Sequence, residues 1–218
     1  MNKGMKTFNL GWKIAIILIA LTGILIQLGI FQGVLNLYIF HYFTILSNVF
    51  AVVILSTSAH KILSTPPKNL PYTWAPLLKG MVIMCLMITM IVSHFLLNQY
   101  FQMTGILGIS VTLLHYVVPF MVLIDYLLFD SKGWMRNKSP LQWIMAPLIY
   151  VVYALIAAQI GDGIGYGNSR YPYPFLDVEI LGWSTVILII FVMAIAILFL
   201  GYLFVLFDSI YVRHSTRS

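Results

Sequence analysis

Apolar runs of about twenty residues alternate along this chain with short polar breaks. Six can be drawn, near 12–31, 36–59, 77–97, 105–128, 141–160 and 181–207. Twenty helical residues at ~1.5 Å each cross the ~30 Å of hydrocarbon in a bilayer, so each run predicts a membrane-crossing helix. The breaks are made of turn formers: Gln32-Gly33, Ser64 to Asn69 with Pro71, Asn98 to Thr104, Asp130 to Pro140, and the long stretch from Gly161 to Glu179. The first run follows Lys3 and Lys6, as a signal peptide would. It is too long for an h-region, though, and no small-x-small cleavage site follows, so a retained helix is expected. The expected fold class is all-α, a single polytopic membrane domain over 1–218, with neither a linker nor an internal repeat.

Composition turns this pattern into an exclusion. Of 218 residues, 61% are hydrophobic and 8% charged, whereas a soluble domain carries about a quarter charged residues. The positions of the charges then become informative. Six helices put both termini on one side, and that face receives Lys3, Lys6, Lys13, Lys61, Lys68, Lys79, Lys132, Arg136, Lys138, Arg213 and Arg217; the other face receives Arg170 alone. Under the positive-inside rule this split places both termini in the cytoplasm, and a Lys-rich cytoplasmic face fits a bacterial inner membrane. The net charge of +6 therefore reads as topology, and no nucleic-acid partner is expected. A single cysteine, Cys85, excludes an internal disulfide and a Cys-based metal cage.

Within so apolar a chain, polar residues at membrane depth are the functional candidates. The second run carries His41, Thr44, Ser47 and Asn48 as one helical stripe. The third ends with Ser93, His94 and Asn98; the fourth carries Thr112 and His115, with Asp125 deeper; the sixth opens with Ser184 and Thr185. If the second helix starts near 36, Thr44 lies roughly 12 Å from the outer face and His115 roughly 15 Å, so the two are expected to meet in an outward-facing cavity. Each has an ordinary alternative: a buried threonine in a membrane helix commonly bonds its own i−4 carbonyl, and a buried histidine can be purely structural. Asp125, Asp130 and Asp208 are expected to pair with nearby Lys and Arg, while His60 and His214 are expected to be solvated. Met81, Met84, Cys85, Met87 and Met90 on the third helix read as packing or as soft copper(I) ligands, and His41, His94 and His115 as a cage for haem. The outer segment with Gly161, Gly163, Gly165 and Gly167, then Tyr171-Pro172-Tyr173-Pro174-Phe175, lacks the Lys-Ser/Thr ending of a phosphate loop. It reads as an interfacial cap or as a lid over a pocket.

Three segments carry a resemblance: Tyr42-Phe43-Thr44, His115 through Val118-Pro119-Phe120 to Asp125, and Tyr173-Pro174-Phe175-Leu176-Asp177. In that order they resemble the family of the androgen-induced protein and the androgen-dependent TFPI-regulating protein, in its bacterial branch. The resemblance implies a six-helix membrane hydrolase that cleaves fatty acid esters of hydroxy fatty acids, with the required threonine at Thr44 and the required histidine at His115. The chain departs from the animal members at Ser47, where they have an acidic residue, and its Pro-Phe lies one residue nearer the histidine.

For such chemistry His115 would be the general base and Thr44 the acyl-accepting nucleophile, with no cofactor or metal. Asn48 and Ser47 are the nearest candidate donors to the oxyanion, with His41 or His94 as substitutes. Asp177 is the candidate orienting acid, and Arg170 the candidate partner for a substrate carboxylate. The lipid ester and the bilayer are the expected partners. The competing expectation is a non-enzymatic membrane protein, a haem or quinone binder or a small-solute transporter, using the same polar cavity.

Overall fold

A computed structural model describes residues 2–66, 73–97, 104–161, 165 and 169–215, without the side chains of 212–215. Lys68, Asn98, Gly163, Gly167 and Arg217 lie outside the described residues, as do the side chains of Arg213 and His214. All regular structure among the described residues is helical. Six helices are long and apolar enough to cross a membrane: α1 (Lys3–Gln27), α2 (Phe43–Ser64), α3 (Pro76–Leu97), α4 (Gly105–Phe129), α5 (Ser139–Ile160) and α6 (Val178–Ser215). The last bends at Gly182, which takes φ 74°.

Several boundaries differ from those expected, three of them for a clear local reason. Helix α1 begins at Lys3 rather than near residue 12, because the Asn2 side chain caps it, accepting from the Met5 N–H at 2.8 Å. It stops at Gln27 because Gly29 turns left-handed at φ 82°, where an added Cβ would lie 1.8 Å from the Val34 carbonyl oxygen. Residues 36–42 do not belong to α2. Leu37–His41 form a 3-10 turn and Tyr42 is extended at φ −90°, ψ 133°. The apolar run continues across this join, so hydropathy cannot register it.

Helices α1 to α4 form the centre of the bundle: α1 packs on α2 and α4, α2 on α3, and α3 on α4. Helix α5 joins through its first turns against α3 and α6. The α1–α4 contact is close because Gly23 has no side chain; a Cβ there would fall 2.7 Å from Leu114. The backbone freed by this approach is used directly, since Ser110 donates to the Gly23 carbonyl at 2.8 Å. Outward, α6 shows Ile187, Phe191, Ile195 and Phe199 at four-residue spacing, an apolar stripe far more extensive than water tolerates.

The ionic residues at the other end of the bundle are more deeply buried than their loop-edge positions suggest. Lys13 and Lys79 are each 2% exposed and Asp125 is 0% exposed. Lys13 Nζ lies 2.6 Å from one Asp125 oxygen, Lys79 pairs with the other, and Lys79 also reaches Asp130 at 3.4 Å. Pairing of Asp125 and Asp130 is as expected. Asp208 accepts from the Tyr126 hydroxyl at 2.7 Å and from the Gly133 and Met135 amides, so it anchors the α4–α5 connection to α6; the Lys132 ammonium is its electrostatic neighbour.

Candidate active site

Thr44 is the second residue of α2, a position set by the extended Tyr42 before it. With that residue out of the helix, Thr44 stands in the first turn, where the usual i−4 back-bond gives way to another partner. Its hydroxyl lies 3.1 Å from Nε2 of His115. The other ring nitrogen of His115, Nδ1, lies 2.9 Å from the Val111 carbonyl oxygen. A carbonyl only accepts, so Nδ1 carries the proton, Nε2 is bare, and the Thr44 hydroxyl donates to it. Both residues are buried, at 8% and 9% exposure.

The placement of His115 follows from Pro119. Proline supplies no N–H to the carbonyl four residues earlier, and an unbroken α-helix would leave that group stranded. Instead residues Leu113–Val117 widen into a π turn, in which the Val118 N–H bonds Leu113 O. The shift leaves the Leu114 carbonyl facing Pro119. Asn48 fills the gap: its Nδ2 donates to Leu114 O at 3.2 Å and to Thr44 O at 2.8 Å. One amide thus ties the turn carrying the histidine to the turn carrying the threonine.

This use of Asn48 corrects the expectation of an oxyanion donor, because both of its amide protons are already engaged. Ser47 is likewise engaged, donating to Thr44 O at 3.0 Å with Thr89 Oγ1 at 3.2 Å. His41 is not part of the α2 stripe; it lies in the preceding 3-10 turn, 2.6 Å from the Tyr153 hydroxyl and stacked on that ring. His94 is exposed and sits edge-on to Phe95 and Tyr116. The three histidines are therefore not brought to one point. Met84, Cys85 and Met87 are core packing between helices, and among the described residues no three His, Cys, Asp or Glu side chains are grouped to hold a metal.

Asp177 is also displaced from its expected role. Its Oδ1 accepts from the Glu179 and Ile180 amides at 3.0 and 3.1 Å, and its Oδ2 accepts from Ser169 at 3.0 Å. It caps α6 and does not touch the histidine, whose orienting group is the Val111 carbonyl. Arg170 faces solvent in a 3.3 Å pair with Glu179 and lines neither cavity at the site.

Two cavities meet at the pair. The first, about 60 Å³, is apolar and lies among α2, α3, α5 and α6, with Ile88, Val92, Val151 and Met193 in its wall. It adjoins a groove of about 310 Å³ between α3 and α6, with which it shares Ile88, Val92, Met193 and Ile197. The second, about 230 Å³, is more polar and is bordered by Gln27, Asn36 and Tyr42 at the opposite side of the pair. Three residues line both cavities: Thr44, His115 and Tyr173.

In the sequence, Tyr173 stands out only as a member of an aromatic segment. That segment is built into the bundle as a roof. Tyr171, Tyr173 and Leu176 pack with Tyr150, Ala154 and Val186, Gln159 donates to the Tyr171 hydroxyl at 2.9 Å, and Tyr173 stacks on Phe175 at 5.2 Å between centroids. The chain matches no family model, no curated protein and no solved structure.

Proposed function

We propose that this chain is a multi-pass protein of a bacterial inner membrane, with cytoplasmic termini, that hydrolyses lipid esters through Thr44 and His115. The observation that carries the reading is the Thr44–His115 bond, with the bare Nε2 aimed at the hydroxyl. A threonine hydroxyl is a weak nucleophile until a base removes its proton, and neutral imidazole does so near pH 7. In acylation, Thr44 Oγ1 bonds the ester carbonyl carbon while its proton passes to His115 Nε2. The leaving alcohol takes that proton as the C–O bond breaks. Water, deprotonated by the same nitrogen, then releases the acid and restores Thr44.

The surroundings favour a lipid substrate. The apolar cavity and the groove beside it, between two helices of membrane-crossing length, suit an alkyl chain arriving sideways from the bilayer. The more polar cavity across the pair suits the leaving alcohol and water. Fatty acid esters of hydroxy fatty acids, the substrates implied by the resemblance to the androgen-induced protein family, have this divided character. The test is purified protein in lipid nanodiscs, treated with a fluorophosphonate and with a branched fatty acid ester. Labelling at Thr44 and turnover are expected, both lost in Thr44→Ala and His115→Ala. Labelling and turnover that survive both substitutions would overturn the assignment.

A further inference from the structure

An acyl-transfer site needs a donor for the oxygen that becomes negative when the nucleophile adds, and the expected donors are used elsewhere: Asn48 by two carbonyls and Ser47 by Thr44 O. Tyr173 remains. It is 6% exposed, and it is the third residue common to both cavities, so its ring stands over the junction where an ester bond would lie against Thr44. Tyr42, Tyr150 and Phe175 hold that ring, at centroid distances of 5.9, 6.2 and 5.2 Å.

The direction of its proton follows from its neighbours. The Tyr173 hydroxyl faces the Thr44 hydroxyl and the backbone N–H groups of Phe43 and Thr44, which lie in the first turn of α2, where amides have no partner inside the helix. Those amides only donate, so they approach the phenol oxygen. The Thr44 proton is directed to His115. The Tyr150 hydroxyl also neighbours Tyr173, and its proton goes to the His41 carbonyl at 2.9 Å. The phenol's own proton is therefore left to turn either to the Tyr150 oxygen or to the space beside Thr44 Oγ1, where an arriving carbonyl oxygen would draw it.

We propose that Tyr173 is a catalytic residue of this site, its O–H donating a hydrogen bond to the ester carbonyl oxygen as Thr44 adds. The inference rests on the hydrolase reading. As the Thr44 Oγ1–carbon bond forms, the carbonyl π pair moves to oxygen, which accepts from Tyr173. No proton leaves the tyrosine, and when the oxyanion collapses the pair returns to re-form the carbonyl. Burial supports this part by keeping the phenol a neutral donor, its pKa pushed up to about 12.

Tyr173→Phe removes the donor and keeps the ring stack. Ester hydrolysis is expected to lose roughly 10²–10³ in kcat, the usual effect of one oxyanion donor, with KM little changed. Binding of a phosphonate that mimics the tetrahedral adduct should weaken in step with kcat, while binding of a neutral ether analogue stays the same; a merely structural role would not separate these. A structure of the wild-type protein phosphonylated on Thr44 should place the phosphoryl oxygen about 3 Å from the Tyr173 hydroxyl. A Tyr173→Phe variant within about threefold of a Thr44-dependent wild type, far short of one oxyanion donor's effect, or a phosphoryl oxygen turned away from Tyr173, overturns the role of Tyr173 alone. Absence of any Thr44-dependent turnover in the wild type overturns the hydrolase reading and this one with it.

Discussion

The Thr44 hydroxyl donates to Nε2 of His115 across 3.1 Å, and the Val111 carbonyl holds the opposite ring nitrogen at 2.9 Å. The orienting group usually drawn as a carboxylate is in this protein a backbone carbonyl of the same helix. A carbonyl fixes the tautomer without adding a charge, which matters in a site surrounded by apolar helices.

That arrangement predicts a single His115 tautomer. In ¹⁵N-histidine-labelled protein near neutral pH, one ring should show a protonated Nδ1 and a bare Nε2. His115→Asn, whose amide can still reach Val111, should fold with near wild-type stability yet lose about 10²–10⁴ in turnover, the usual share of general-base assistance. A protonated Nε2 on that ring would contradict donation from Thr44 to His115.

Asn48 predicts a coupling between stability and activity. Asn48→Ala leaves the Leu114 carbonyl buried without a donor, at a cost of about 1–3 kcal/mol, and loosens the tie between the turns that carry Thr44 and His115. Denaturation in detergent and the rate of fluorophosphonate labelling should fall together. Asn48→Asp, which turns oxygens toward two carbonyl oxygens, should be worse than alanine on both measures.

The buried ionic cluster predicts a purely structural effect. Asp125→Ala strips the shared partner from Lys13 and Lys79, and loss of one side of a buried pair costs about 3–5 kcal/mol. Asp125→Leu combined with Lys13→Met should recover part of this, because Lys79 keeps Asp130 at 3.4 Å. Thermal unfolding of the single and double variants measures the recovery. Protein that remains folded should label at Thr44 at the wild-type rate.

Tyr173 predicts an alkaline limit. Its folded pKa is about 12 against about 10 for a free tyrosine, so between those values the unfolded chain holds fewer protons than the folded one. Stability attributable to Tyr173 is then complete below about pH 10 and is lost as pH rises toward about 12, by roughly 2–3 kcal/mol. The unfolding midpoint of Tyr173→Phe should decline less steeply than wild type across this window, and a parallel decline would exclude the linkage.

The number and order of the helices were legible in the sequence because burial in hydrocarbon requires about twenty apolar residues per crossing, a signal that needs no partner. Thr44 and His115 stood out as polar residues at similar depth, and the resemblance to a hydrolase family singled them out. Other features had no local signature. The extended Tyr42 lies inside an apolar run, so the start of α2 was displaced and His41 was placed on a stripe it does not join. Lys13 and Lys79 read as edge charges because nothing near them in sequence announces Asp125, which lies far along the chain from either. Asn48 and Asp177 carry the residue types expected of a catalytic site, yet tertiary contacts use the first to repair a π turn and the second to cap a helix. Tyr173, hidden among thirteen tyrosines, gains its position only when the roof folds over the α2 N-terminus. Hydropathy along a chain decides which segments leave water; which donor meets which acceptor is decided across the bundle, where each buried polar group must find a partner from whatever helix lies alongside.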